Sequence, residues 1–303
     1  MKQVGPVISM REYRDFNRCC KRIAVVCWLW LISSGQVQAL EPGSEIITGA
    51  GAHFAWTIFD DLKSDLEKVV GKKIVVFGKD SMLGQGCNAG VKMAKQYTEK
   101  NPTFGFLCCP LSAEEQKKED LVIYPLAMEP IVIMVNELNS VRNLTLDQVR
   151  AIFRGDIRNW REVGGKDQAI VVVTRLHCKD RPGHWKTILP DKKYFRQERL
   201  NVQSSDEMVA RITDFEGAIG HTGSTWVRQP GLKVQPVSVD GVAATAENLR
   251  NKSYPFYRPL SAVTVQQPSA DVLKLIREVQ VGPAFRAVAK HYELLPLNRL
   301  EQR

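Results

Sequence analysis

A strand, a glycine turn and a helix in immediate succession constrain this chain more than any other stretch. Ile46-Ile47 reads as a short strand and Gly49-Ala50-Gly51-Ala52-His53-Phe54 as the turn. Phe59, Leu62, Leu66, Val69 and Val70 then recur at helical spacing until Gly71 stops them. Glycine tolerates positive φ and lets an anion approach the backbone. The helix behind the turn offers unpaired N–H groups and the positive end of its dipole. Such a turn is either an ordinary tight turn or an anion site, and other segments have to decide between the two.

The same alternation continues along the chain and predicts an α/β fold. Lys73–Phe77 is a strand that opens into a second glycine loop, Ser81-Met82-Leu83-Gly84-Gln85-Gly86, and a helix runs from about Asn88 to Tyr97. Thr103–Leu107 is a buried strand ending at Cys108-Cys109-Pro110. Ser112 with Glu115, and Thr145 with Gln148, have capping-box spacing, while Ser204 with Glu207 caps a later helix that stops near Gly217. Val122–Pro125 and Pro130–Asn136 are extended, and Ile131–Val135 is apolar on both faces, as in a central strand. Leu146, Val149 and Phe153 form a buried helical face that ends at Gly155, and Ile170–Thr174 is a further strand. Ala218–His221 reads as a short strand before Thr222-Gly223-Ser224, Tyr254–Leu260 as extended, and Ala270–Tyr292 as mainly helical. No linker separates two sequential domains, so two lobes would require the chain to cross between them.

Arg18, Lys21 and Arg22 precede an apolar run, Ile23–Ile32, and Val37-Gln38-Ala39 has the character of a cleavage site. Residues 1–39 are therefore expected to be a signal peptide, with Met10 as an alternative start and an uncleaved anchor as the other reading. The run is short for a membrane span, and nothing after Ile32 approaches that length. Removing residues 1–39 takes six of the 42 Lys/Arg and two of the 33 Asp/Glu, which lowers the net charge from +9 to +5. The remaining charge is dispersed, without the Lys/Arg block that marks nucleic-acid binding. Cys87, Cys108, Cys109 and Cys178 remain. Four cysteines in an oxidising compartment permit three pairings, with a strained ring if the adjacent Cys108 and Cys109 are joined. No CxxC spacing supports structural zinc or covalent haem.

In their order, these pieces resemble type II periplasmic solute-binding proteins of the phosphate-binding branch. Gly49–Phe54 resembles that family's first anion loop, with His53 where serine is usual. Phe104–Ser112 resembles its strand-to-helix segment, closing on Pro-Leu-Ser. Ile152, Gly155, Ile157 and Trp160 resemble the helix and turn of the second lobe, and Val172-Val173-Thr174-Arg175 the strand presenting a ligand-binding arginine. Gly217–Gly220 and Tyr254-Pro255 complete the set, over about Ile46 to Leu295. The resemblance implies a two-lobe α/β fold with crossing hinge strands: residues 40–125 with 252–303 as lobe 1, and 126–251 as lobe 2. It further implies an exported, periplasmic monomer that closes over a small inorganic anion, phosphate above all, for an inner-membrane ABC permease. The expected ligand-binding residues are Gly51, Ala52, His53, Ser81, Gly86, Cys108, Arg175, His177, Arg181 and His184, with no cofactor and no resident metal.

The chain departs from the family in two places. Cys108 stands where phosphate binders have an aspartate that accepts a proton from the ligand, and a thiol is a weak acceptor. The usual Gly-Ser-Gly-Thr donor loop is replaced by His177-Cys178-Lys179-Asp180-Arg181-Pro182-Gly183-His184-Trp185. The alignment brings Cys87, Cys108, Cys178, His53, His177 and His184 to one cleft. That grouping allows either a Cys87–Cys178 or Cys108–Cys178 disulfide with hydrogen-bonded histidines, or a soft-metal or metal-complex ligand for a sensor or non-transport subunit. Trp185 and Trp56 are expected to pack, and His221 to be a satisfied loop histidine. A hydrolase would pair Cys178 with His177 or His184, but no nucleophile elbow or zinc-protease helix accompanies them, and an enzyme is not expected.

Overall fold

Strand β1 (Ile46–Gly51) runs directly into helix α1 (Phe54–Val70). The apolar spacing is the face that α1 buries, led by Phe54, Ile58, Phe59, Leu62 and Leu66. Gly71 ends the helix in left-handed backbone at φ 70°, its N–H donating to the Glu67 carbonyl. The structure, a computed structural model, describes residues 45–77, 86–178, 181 and 183–297. The expected signal peptide lies outside these residues, as do Ser81 and most of the second glycine loop, and Lys179, Asp180 and Pro182.

β2 (Lys73–Phe77) and β3 (Thr103–Leu107) flank β1 in parallel, and α2 (Cys87–Lys95) makes the crossover between them. α2 lies directly on β3: a Cβ on Gly105 would overlap the Gly90 carbonyl, and one on Gly90 would overlap that of Phe106. Only glycine permits this approach. α3 (Ala113–Glu119) starts with the reciprocal Ser112/Glu115 capping box, and α4 (Leu146–Arg154) with that of Thr145/Gln148.

The two extended runs expected around residue 126 are one 16-residue strand, β4 (Leu121–Asn136). Its first part pairs antiparallel with β10 (Tyr257–Val265), which also pairs with β3. Its last part pairs antiparallel with β8 (Ala218–Gly223) and β9 (Val234–Val239). β6 (Val171–Thr174) lies parallel between β8 and β7 (Leu200–Asn201). β5 (Asn143–Leu144) pairs with β9, and β11 (Leu295–Pro296) with β4. The main order is β2-β1-β3-β10-β4-β8-β6-β7. The helices still to name are α5 (Ser205–Asp214), α6 (Ser224–Val227), α7 (Ala246–Arg250), α8 (Ala270–Val281) and α9 (Pro283–His291). The C-terminal helical segment thus divides at Gly282, where Pro283 starts a new helix.

Two hydrophobic cores share no buried residue. One gathers side chains from Ile47 to Ala127 and from Leu260 to Leu294; the other runs from Ile131 to Phe256. Between them the chain passes on only two strands, β4 and β10. Apolar run Ile131–Val135 is fully within the second core, which is why both of its faces are hydrophobic.

Candidate ligand-binding site

Where β1 meets α1, Gly51 takes φ 138°, and a Cβ there would overlap the Phe106 backbone. The Ala52 N–H donates to the Phe106 carbonyl (3.0 Å) and the Gly86 N–H to the Gly51 carbonyl (2.9 Å). These two expected anion donors are therefore committed to holding the turn against its neighbours. His53 is the N-cap of α1 but makes no capping bond. Its ring stacks on Trp56, 4.6 Å between centroids, and Trp56 is itself anchored by its indole N–H donating to the Phe77 carbonyl.

Arg175 reaches this helix end from the terminus of β6. It is 7% exposed; its Nε donates to the Gln203 carbonyl (2.8 Å) and its Nη2 to His53 Nε2 (3.2 Å). Since a guanidinium only donates, His53 accepts through Nε2 and carries its proton on Nδ1, which has no partner. Burial, then the Arg175 charge, pushes the His53 imidazole down to about 2, so it is neutral. Burial also lowers Arg175 from its ordinary value. Among the described residues, no carboxylate pairs with Arg175.

A second buried guanidinium lies on the crossing strands. Arg258 on β10 faces Glu129 on β4, and its Nε donates to Glu129 Oε2 at 2.6 Å with both side chains almost wholly buried. Glu129 Oε1 also accepts from the Thr225 N–H (3.1 Å) and hydroxyl (2.6 Å). Burial opposes the Arg258 charge, but Glu129 and the nearby Cys108 and Cys109 together outweigh it and the pKa is raised. Arg258 Nη1 donates to His184 Nδ1 (3.2 Å), so the free proton of His184 is on Nε2. Arg258 Nη2, His184 Nε2 and Ser224 Oγ are buried without partners. Two guanidiniums and one carboxylate share this interior, with several unanswered donors.

Sequence reasoning missed Glu129 and Arg258. Their signal was a charged residue inside an otherwise apolar strand, Met128-Glu129-Pro130-Ile131 and Tyr257-Arg258-Pro259-Leu260. It also misplaced His221, which is not a satisfied loop histidine. His221 lies on β8, 1% exposed, with neither ring nitrogen bonded, because β8 continues to Gly223 instead of ending before it. Burial pushes it down to about 3. Thr222-Gly223-Ser224 leads into α6, whose Thr225 serves Glu129.

The four sulfurs converge, but not as expected. Cys87 and Cys108 Sγ atoms are 3.7 Å apart, against about 2.05 Å for a disulfide. All four cysteines are free, so neither Cys87–Cys178 nor Cys108–Cys178 is bonded. Cys108 donates its backbone N–H to Cys87 Sγ at 3.3 Å. That contact holds the first thiol beside the second without joining them. Hydrogen bonds from Cys109 and Cys87 hold the Cys178 thiol down to about 5 against its burial; the same sulfur contacts raise Cys109. The imidazole partner of a thiol is Cys109 Sγ–His177 Nε2, 3.4 Å, not the Cys178 pair considered from the sequence. Cys109 is 0% exposed, while His177 is half-buried.

His177 also packs against His184, with ring centroids 4.7 Å apart and the planes tilted by 53°. Trp185 packs on Phe195 and donates its indole N–H to the His177 carbonyl (2.7 Å), so it supports the loop rather than facing a ligand. Arg181 stands apart: its Nε donates to Glu115 (3.1 Å) and its Nη1 to Asn88 (2.9 Å). It clasps the α2–α3 side of the first half instead of joining His53 and Arg175. Gly86 caps α2 at φ 82°.

Residues 36–289 match the family model described as the PBP superfamily domain. The chain belongs to the PBP superfamily. A PBP-superfamily relative, the phosphate-binding protein PstS of Bacillus subtilis (strain 168), is 33% identical over 153 residues, 48% of this chain and 48% of its own length. The Borreliella burgdorferi protein of the same name is 25% identical over 161 residues, 50% of this chain and 56% of its own length. The chain spans about half the length of these curated relatives. A solved phosphate ABC transporter substrate-binding protein of Clostridium perfringens, with bound phosphate, aligns at TM-score 0.69 and 26% identity, covering 84% of this chain and 100% of that one. The two cores joined by β4 and β10 are the two lobes of this PBP-superfamily fold. No helix among the described residues is long and apolar enough to cross a membrane.

Proposed function

We propose that the chain is an exported solute-binding protein that captures a small oxyanion, phosphate first, between its lobes for an ABC importer. The observation that carries this reading is Arg175: a buried guanidinium with no carboxylate partner among the described residues, held at the N-terminus of α1 by His53. An oxyanion there would supply the missing counter-charge and accept from the first turn of the helix. The unanswered protons of Arg258, His184 and His53 add donors of the same kind. The names of the relatives, which are phosphate-binding and belong to ABC transport, favour the same ligand class.

In this reading the lobes divide at 40–125 with 252–303 and at 126–251, and the crossing strands form the hinge. Binding proceeds without turnover, by a monomer that presents its closed form to a membrane permease. Cys108 in the place of the family's aspartate removes a strong acceptor for a protonated ligand. Discrimination between phosphate and sulfate is therefore expected to be weaker than that of a carboxylate-bearing site.

Calorimetric titration with phosphate, with sulfate as competitor, tests this. Phosphate should bind, sulfate should compete, and Arg175→Met should weaken phosphate binding about 10- to 150-fold, from the roughly 1.5–3 kcal/mol of a charged hydrogen bond. Heat-free titrations with both anions in a folded protein would end the oxyanion reading.

A further inference from the structure

Three sulfurs meet at a place where oxyanion capture has no use for them. Cys87 begins α2, Cys109 follows β3, and Cys178 sits in the loop after β6. Their Sγ atoms all lie within 4.8 Å of one another, and Cys108, Cys109 and His177 form an overlapping group with the same limit. Thiolates about 2.3 Å from a common metal ion have S···S edges of roughly 3.8–4.0 Å, which fits within the 4.8 Å that bounds the Sγ atoms of Cys87, Cys109 and Cys178. His177 Nδ1 donates to the Arg175 carbonyl at 3.2 Å. That bond fixes the tautomer and leaves the Nε2 lone pair on the side of Cys109 Sγ, 3.4 Å away. Metal-bound imidazoles are commonly oriented by such a second-nitrogen bond.

The donor set also says what kind of ion it suits. Glu129 is the one carboxylate-bearing residue buried among the described residues, and it is taken by Arg258 and Thr225. Sulfur and imidazole without carboxylate exclude hard cations and favour soft ones. Cys178 adopts φ 53°, a left-handed conformation uncommon for a side-chain-bearing residue, at the point where its loop turns toward the other two thiols.

We infer that Cys87, Cys109 and Cys178 bind one soft d10 metal ion, Cu(I) or Zn(II), with His177 as the adjacent nitrogen donor. Cys87 and Cys109 belong to the first core, against which Cys178 also packs, while in the chain Cys178 and His177 follow a strand of the second. The ion therefore ties the two lobes together, at a position beside Arg175 but with donors that Arg175 does not use.

The test uses the full chain carrying Cys19→Ser, Cys20→Ser and Cys27→Ser, which leaves Cys108 as the one thiol outside the three proposed ligands. Reduced, phosphate-free protein is titrated anaerobically with Cu(I) against bathocuproine disulfonate, and with Zn(II) against pyridylazoresorcinol. One equivalent of at least one of these ions should bind. Cys178→Ser, on a half-buried loop position, should weaken that binding at least tenfold with an unchanged circular dichroism spectrum; Cys109→Ser provides the second variant. Phosphate affinity is measured separately on the metal-free protein, so loss of either ligand is read independently. Failure of both ions to compete, or wild-type affinity in Cys178→Ser, overturns the site. Peptide mapping from thiol-blocked cells that finds Cys178 in a disulfide overturns it as well.

Discussion

Arg175 and Arg258 are the same side chain in opposite circumstances. Arg258 has Glu129 at 2.6 Å, whereas Arg175 has only a carbonyl and an imidazole. Breaking a buried pair by removing one partner costs about 3–5 kcal/mol, because a buried charge is left alone. Glu129→Gln should therefore lower the unfolding free energy of the ligand-free protein by that amount. Arg175→Met should cost less, since no carboxylate pairs with the charge it deletes and only the neighbouring thiols answer it. Denaturant titrations of both variants without added anion decide the matter, and an Arg175→Met loss as large as that of Glu129→Gln would mean that the thiols hold the guanidinium as firmly as a carboxylate does. Arg175 was singled out through the resemblance of Val172-Val173-Thr174-Arg175 to a family strand, since a charge at a strand end reads equally well as a surface ion pair. Glu129 and Arg258 were not legible, because what makes each tolerable is the other, 129 residues away. The same holds for the thiols: Cys109 meets His177 only after the lobes are placed together.

Elements were easier to read than partnerships. The Ser112, Thr145 and Ser204 caps are local chemistry, decided within four residues, and each forms. The periodicity of α1 is likewise its buried face. β4 was split at Pro125 and Pro130 because proline removes a ladder donor; the strand continues through both since neighbours pair on either side of each. β9, with mixed burial, gave no clear alternation. The contact of α2 with β3 could be seen only in three dimensions, where Gly90 and Gly105 lie back to back. Adding a methyl at Gly105 would push backbone into backbone, with no side chain able to yield. Gly105→Ala should cost about 3 kcal/mol or more, at or above the upper end for overpacking, while Gly71→Ala, with open space around it, should cost about 1–2 kcal/mol for its left-handed backbone alone. Urea midpoints of the two variants give the comparison, and equal losses would mean that the helix can slide off the strand.

At the level of the molecule, the buried imidazoles make stability depend on pH. Burial first, then the charges of Arg175, Arg258 and His177, lowers His53 to about 2 and His221 to about 3. Both folded values lie below the roughly 6.5 of an unfolded histidine, so below that pH the unfolded chain takes up protons that the folded one refuses. Their stabilising contribution is complete above about 6.5 and is lost as the pH falls from there toward the folded values, near 1.4 kcal/mol per unit for each. Burial lowers His184 and His177 as well, so the loss between pH 7.5 and 5.5 should be at least the roughly 3 kcal/mol of His53 and His221, and His221→Phe should remove about 1.4 kcal/mol of it. A urea midpoint that stays level across this range in both proteins would exclude the effect. The two shared strands carry a different consequence, for the order in which the protein is made. The second core lies entirely within one continuous stretch, Ile131 to Phe256. The first begins at Ile47 but needs Leu260 to Leu294 before it can close. As the chain lengthens from its N-terminus, the half begun first is the half finished last, and its β3 edge stays bare until β10 arrives to cover it.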